Sequence, residues 1–138
     1  MLLVEDNEDD VFLMKRALKS AAVTNPLYVV GDGEKAVAYL SGTGKFADRK
    51  SYPYPSLILL DLKLPYLSGL DVLAWKQLRT EVPPAVVIVI TSSNEPTDLK
   101  SAYKSGASSY VVKPPTASQL NDIAKAIRLY WLTHSLLP

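Results

Sequence analysis

The 138-residue chain has no cysteine, a single histidine (His134) and no apolar run near the ~20 residues of a membrane span. The missing thiols exclude disulfides and thiolate metal sites, and they are compatible with the cytoplasm. The N-terminus lacks the basic and long apolar regions of a signal peptide. We therefore expect a cytoplasmic protein without a membrane partner, in which His134 is a solvated residue rather than a ligand.

The chain also lacks an excess of either charge, because 15 Lys and Arg face 14 Asp and Glu and leave a net charge of +1. This balance gives no electrostatic reason to expect nucleic acid or an anionic membrane as a partner. The length and the 48% hydrophobic content are typical of one globular domain with a sizeable core. We expect this domain over residues 1–132 and a C-terminal tail over residues 133–138.

Short apolar runs with polar groups at their ends are the main pattern in the sequence. Four such runs lead directly into Glu5-Asp6, Asp61, Thr91 and Lys113. Short β-branched and aliphatic runs of this kind are typical of buried parallel strands. Because ligands of an open parallel sheet bind beyond the carboxyl ends of its strands, these polar side chains are expected to converge on one pocket.

Helical and extended patterns alternate along the chain, which predicts an α/β fold with a doubly wound five-stranded parallel sheet. Asn7 and Ser68 are expected N-caps, and Pro96 suits the first turn of the fourth helix. The expected strands are Leu2–Val4, Leu27–Val30, Leu57–Leu60, Val86–Ile90 and Ser109–Val112. The expected helices cover about 8–20, 33–40, 69–80, 96–106 and, from Thr116 or Ser118 onward, up to about 132, while 41–55 is expected to be a surface loop.

The ends of the first and third strands would place the carboxylates of Glu5, Asp6 and Asp61 within a few ångströms of one another. At ~5 Å and an effective dielectric constant of about 20, each pair of like charges costs roughly 3 kcal/mol. Such a cluster either raises a pKa or holds a cation. Since the donors are hard oxygens without a nearby His or Cys, Mg²⁺ is the expected ion.

Lys113 and Thr91 complete a set of groups suited to phosphoryl chemistry. A lysine ammonium suits one phosphoryl oxygen, and a threonine hydroxyl can donate to another. With a metal ion they would neutralise charge on a phosphoryl group in transfer. An Asp carboxylate can act as the covalent nucleophile, and Asp61 is the best acceptor because it lies between the acidic pair and the Thr91–Lys113 side. Each residue alone is more often a turn, helix start or cap, and only their joint occurrence favours a function.

The combination resembles the receiver domain of two-component response regulators over essentially the whole chain. The residues that carry the resemblance are Glu5-Asp6-Asn7, Asp61 through Pro65, Gly69, Thr91 and Lys113-Pro114. The resemblance implies a flavodoxin-like (βα)5 fold with strand order 2-1-3-4-5.

The resemblance also implies a metal site and a phosphoacceptor. Asp61 would be the phosphoacceptor and a metal ligand. Asp6 would bind Mg²⁺ directly, Glu5 would bind it through water, and the carbonyl of Lys63 would complete the protein ligands.

Further roles implied by the resemblance concern the phosphoryl group and the response to it. Thr91 and Lys113 would bind the phosphoryl oxygens. Tyr110 occupies the position of the family's switch aromatic, so Thr91 and Tyr110 are the expected switch residues. The Lys113–Pro114 peptide bond is expected to be cis.

The implied function is a single-domain response regulator that accepts a phosphoryl group from a histidine kinase on Asp61 and signals through a changed protein–protein surface. It would catalyse only its own phosphorylation and dephosphorylation. One alternative is an aspartyl-phosphate phosphatase, although Lys63 stands where phosphatases of the haloacid dehalogenase type carry a second Asp. The other is a flavodoxin-like cofactor-binding protein, although the acidic segment 5–10 would repel a phosphate.

The long loop, Tyr130-Trp131-Leu132 and the closing Leu136-Leu137-Pro138 resemble a narrower group, the stand-alone receivers that partner phytochrome-type histidine kinases. In the last helix, a stripe expected to face the sheet comprises Leu120, Ile123, Ala124, Ile127 and Trp131. Leu129, Leu132 and Leu136 lie on nearly the opposite side. A homodimer through the last helix and tail would bury this second stripe.

Overall fold

The computed structural model describes residues 1–113 and 116–134, with side-chain surroundings through residue 129. Five strands alternate with five helices. The strands are β1 (Leu2–Val4), β2 (Tyr28–Val30), β3 (Leu57–Leu60), β4 (Val86–Thr91) and β5 (Ser109–Val112). The helices are α1 (Glu8–Ser20), α2 (Gly33–Ser41), α3 (Gly69–Gln77), α4 (Pro96–Lys104) and α5 (Ala117–His134).

All neighbouring strands pair in parallel, in the order β2-β1-β3-β4-β5. The register aligns the carboxyl ends of the central strands, since Val4 pairs with both Val30 and Leu60 and Thr91 pairs with Val112. The predicted doubly wound sheet and its strand order are therefore confirmed. The polar residues that follow β1, β3 and β5 leave the sheet at the same edge.

The sheet separates two hydrophobic cores. Alternate residues of β3 serve both, because successive strand side chains point to opposite faces. Ile58 and Leu60 belong to the core beneath α2 and α3, whereas Leu57 and Leu59 belong to the core beneath α1 and α5. Burial on both faces explains why β3 is a continuous apolar run. None of the helices in the described ranges combines the length and apolarity that crossing a bilayer requires.

Side-chain caps begin four of the described helices. The carboxamide of Asn7 accepts from the backbone N–H of Asp10, as predicted, and Asp32 caps α2 in the same way. Ser68 and Asp71 form a reciprocal capping box at the start of α3. At the start of α5 the backbone N–H of Gln119 donates to the Thr116 hydroxyl over 3.0 Å, so Thr116 opens this helix, as predicted. These caps fix where the chain turns from each strand end into its helix, so they also fix the loops that carry the candidate site.

Several predicted boundaries were wrong. β2 begins at Tyr28 rather than Leu27, and α5 continues to His134. α3 ends at Gln77, before the predicted end near Thr80, because the chain turns there toward the Pro83-Pro84 pair. The predicted cis peptide at Lys113–Pro114 lies outside the described residues.

The segment 41–55 is more ordered and more buried than the surface loop that the sequence predicted. It contains a short 3-10 helix, Gly44–Phe46, and Phe46 is buried against the rings of Tyr39 and Tyr52, each with its centroid 5.1 Å away. The Arg49 guanidinium donates to the carbonyls of Leu40 and Tyr52. An aromatic cluster therefore anchors the loop to the sheet, an arrangement that depends on contacts distant in sequence.

One face of α5 packs as predicted. Ala124 and Ile127 are buried, and Leu120 and Ile123 pack partly against the same core. Leu129 is 64% exposed, in line with a second stripe on the far side of the helix. The side chains of Trp131 in the first stripe, and of Leu132 and Leu136 in the second, lie outside the described residues. The dimer therefore stays a prediction.

Candidate functional site

Backbone pairing continues past the strand ends and fixes the first site residues. The N–H of Asp61 donates to the Val4 carbonyl over 3.1 Å, and the N–H of Glu5 donates to the Val30 carbonyl over 3.0 Å. Glu5 and Asp61 are consequently buried, while Asp6 is exposed at the rim. Two buried carboxyl groups thus face each other across adjacent strands.

The three predicted carboxylates do converge. Glu5, Asp6 and Asp61 each offer an oxygen, and these oxygens all lie within 4.8 Å of one another. Hard carboxylate donors at this spacing fit Mg²⁺ or a similar divalent ion. The backbone N–H of Lys63 donates to Asp61 over 3.1 Å, which orients the carboxylate. The predicted metal contact of the Lys63 carbonyl stays a prediction.

Lys113 carries its charge into the middle of this acidic cluster. Its Nζ lies 3.0 Å from Asp61 and 2.8 Å from Asp10, and it also donates to Glu5. The Lys113 side chain is 14% exposed. A buried ammonium shared by three carboxylates shows that the cluster attracts a cation at this position.

Burial and charge act in opposite directions on the two central groups. Burial raises the pKa of Glu5 to about 7, against the lowering effect of its hydrogen bond from Lys113. Burial alone would lower the pKa of Lys113, but hydrogen bonds to Asp10, Glu5 and Asp61 outweigh it and hold that pKa above its ordinary value. Lys113 therefore stays charged throughout the neutral range, whereas burial makes the Glu5 carboxyl easier to protonate than an exposed one.

Asp10 is the one member of this network that the sequence-based argument missed. It lies in the first turn of α1, and the Asn7 cap holds its backbone N–H. A signal was present, because Asp10 shares a helical face with the buried Met14 and Ala17 and so points toward the sheet. A carboxylate at the start of that face lies above the strand ends.

The predicted switch residues are connected through Ser93. Thr91 is fully buried at the end of β4, and its Oγ accepts from the N–H of Ser93 over 3.4 Å. The Tyr110 hydroxyl donates to the Ser93 carbonyl over 3.0 Å, while the Ser93 hydroxyl donates to Asp98 at the start of α4. A movement of Thr91 that displaces Ser93 would therefore change the hydrogen bonds of Ser93 with Tyr110 and with Asp98 of α4.

Known proteins of similar length and the same fold resemble this chain. Response regulator Rcp1 of a Synechocystis strain is 32% identical over 138 residues, which are 100% of this chain and 92% of that protein. The phosphorylated cyanobacterial phytochrome response regulator RcpA is 36% identical, with a TM-score of 0.84 and coverage of 99% and 96% of the two chains. The Mn²⁺-bound form of Rcp1 has a TM-score of 0.83, 32% identity and the same coverage.

The family match agrees with these relatives and with the geometry. Residues 1–125 match the response regulator receiver domain, which is far more than half of the 138-residue chain. The chain therefore belongs to the response regulator receiver domain family.

Proposed function

We propose that this domain accepts a phosphoryl group from the phosphohistidine of a sensor kinase onto the Asp61 carboxylate, with a divalent ion present. The observation that carries the proposal is the convergence of Glu5, Asp6 and the Lys113 ammonium on Asp61. In the transfer, one Asp61 oxygen forms a bond to phosphorus while the phosphorus–nitrogen bond of the phosphohistidine breaks. The nitrogen keeps the electron pair of that bond and leaves as a neutral imidazole once protonated.

The residues of this chain would hold the phosphoryl group in place. Lys113 is already 3.0 Å from Asp61 and offers its charge to a phosphoryl oxygen. Thr91 lies at the end of the adjacent β4 and offers a hydroxyl to another. Together they would neutralise charge that develops on the equatorial oxygens during transfer. The same residues would act when water removes the group, so catalysis is confined to the protein's own aspartate.

Glu5, Asp6 and Asp61 would hold the metal, with the Lys63 carbonyl as the predicted further ligand. A bound Mg²⁺ would supply a Lewis acid beside the transferred phosphoryl group. The Mn²⁺-bound structure of the relative Rcp1 supports a divalent ion in this fold. Mg²⁺ is favoured over softer ions because every proposed donor is an oxygen.

A phytochrome-type histidine kinase is the proposed phosphoryl donor, because the phytochrome response regulator RcpA is among the relatives that align along nearly the whole chain. The test is transfer of label from a panel of phosphorylated histidine kinases, phytochrome kinases included, in Mg²⁺ and again in EDTA. We expect transfer from at least one kinase and none in EDTA. Failure with every kinase and with acetyl phosphate in Mg²⁺ would overturn the proposed function.

Phosphorylation should alter the surface formed by α4, β5 and α5. A phosphoryl group adds about −1.5 to −2 charges beside Thr91. If Thr91 moves toward that charge, its hydrogen bond with Ser93 changes and the Tyr110 hydroxyl bound to the Ser93 carbonyl must follow. We expect beryllofluoride with Mg²⁺ to shift the NMR signals of Thr91, Tyr110 and residues 102–106.

The matched control for this switch is Thr91→Ala, which removes the hydroxyl that would follow the phosphoryl group. Its beryllofluoride complex should leave the Tyr110 signal unmoved. Wild-type shifts confined to the surroundings of Glu5 and Asp61 would instead indicate a passive phosphoryl carrier.

The domain is also proposed to dimerise through α5 and the tail. Burial of the three leucines of the second stripe would contribute roughly 5 kcal/mol before the costs of association. We expect sedimentation to show a dimer at a concentration on the order of tens of micromolar and a monomer for Leu129→Asp/Leu132→Asp. Leu78→Asp is the control, since Leu78 is 77% exposed at the end of α3. A monomeric wild type, phosphorylated or not, would rule the dimer out.

A further inference from the structure

Lys113 is bound by carboxylates of two kinds. Glu5 and Asp61 belong to the oxygen cluster that suits a divalent ion, whereas Asp10 lies outside that cluster. The side chains of Glu5 and Asp61 are 5% and 7% exposed, and that of Asp10 is 36% exposed. The ammonium therefore spans the space between the metal donors and the first turn of α1.

A divalent ion would weaken only the first kind of contact. The cluster of Glu5, Asp6 and Asp61 carries three negative charges when ionised. A doubly charged ion would reduce this sum to one, and it would also repel the Lys113 ammonium directly. The charge of Asp10 is not neutralised in this way, so Asp10 becomes the strongest remaining partner of Lys113.

We propose that Asp10 is a positioning residue that retains Lys113 beside Asp61 when a divalent ion occupies the acidic cluster. This role rests on the proposed metal-assisted reaction of Asp61. Asp10 is held in place for this role, because it lies in the first turn of α1 and its backbone N–H donates to the side chain of the N-cap residue Asn7. The Asp10 carboxylate is already 2.8 Å from the Lys113 ammonium, which is 3.0 Å from Asp61, so Asp10 can hold the lysine without moving it.

The direct test follows the Lys113 side chain by NMR in the full chain, with lysine labelled in its side-chain carbon and nitrogen and Mg²⁺ alone as the probe. In the wild type, Mg²⁺ should shift the Lys113 signal while its ammonium protons stay in slow exchange with water. In Asp10→Asn, Mg²⁺ should accelerate that exchange on the order of tenfold or more, because one charge-assisted hydrogen bond is lost. Equal exchange rates in the two Mg²⁺-bound proteins would overturn the proposal.

Two further variants separate retention of Lys113 from a general loss of charge. Asp9→Asn removes the same charge from the same turn of α1, and Asp9 is exposed and forms no salt bridge among the described residues. It should behave as the wild type. Asp10→Glu keeps a carboxylate on that turn and should restore slow exchange. An Asp9→Asn effect equal to that of Asp10→Asn would contradict a contact-based role.

The reaction supplies a second readout. Labelling by acetyl phosphate at saturating Mg²⁺ should slow about tenfold in Asp10→Asn. In a Lys113→Ala background, Asp10→Asn should cause no further loss, because both changes remove the same interaction. An additional loss in that background would show that Asp10 does not act through Lys113. The two proposals can also fail separately. If no donor labels the wild type, but Mg²⁺ still accelerates exchange of the Lys113 ammonium protons in Asp10→Asn, phosphoryl transfer is overturned and the positioning role of Asp10 is supported.

Discussion

Asp61→Asn is expected to abolish labelling of the domain by acetyl phosphate or by a cognate kinase. The amide keeps the shape of the carboxylate, and its oxygen can still accept the hydrogen bond that Lys63 now donates to Asp61. It lacks the anionic oxygen that attacks phosphorus. The variant also removes one of three charges from the proposed metal site, so labelling should fall to background at any Mg²⁺ concentration.

A buried aspartate outside the site provides the matched control. Asp32 is as buried as Asp61, but it caps α2, a role that Asn fills equally well. Asp32→Asn should therefore be labelled at the wild-type rate. The wild type should acquire an acid-labile, hydroxylamine-sensitive label. If Asp61→Asn acquires the same label at the same rate, Asp61 is not the phosphoacceptor.

The parallel strands made the fold and much of the candidate site predictable. β3 is buried on both faces, so its residues form an uninterrupted apolar run that periodicity detects. Caps such as Asn7 and Ser68 act within three residues, so their local chemistry is legible in the sequence. Convergence of Glu5 with Asp61 follows from parallel pairing, because it aligns the carboxyl ends of adjacent strands.

Contacts between side chains distant in sequence were beyond the same reasoning. The bond between Asp10 and Lys113 joins residues 103 positions apart, and it depends on how α1 lies over the sheet. The burial of Phe46 depends in the same way on rings contributed by α2 and the later part of its loop. The sequence carries only weak signals of such contacts, for example the position of Asp10 on the same face of α1 as the buried Met14 and Ala17.

A methyl group at Gly69 should damage both the fold and the site, because α3 begins against the backbone of the residue that would accept phosphoryl. A Cβ at Gly69 would lie 2.2 Å from the Asp61 carbonyl oxygen and 2.7 Å from the Leu62 Cα. Neither atom belongs to a side chain that can rotate away. The N–H of Gly69 also donates to the Leu62 carbonyl over 2.9 Å, so the helix start cannot retreat without losing that bond.

Gly69→Ala should therefore force the β3–α3 loop to shift, at a cost of about 3 kcal/mol in the free energy of unfolding. A displacement of about 1 Å at Asp61 would slow labelling on the order of 100-fold even in the fraction that folds. Urea unfolding and the initial rate of labelling by acetyl phosphate measure the two effects separately. Gly31→Ala is the control, since a Cβ there meets nothing within 4 Å, and it should change stability by less than about 0.5 kcal/mol. Wild-type stability and labelling in Gly69→Ala would mean that the close approach of α3 does not hold Asp61 in position.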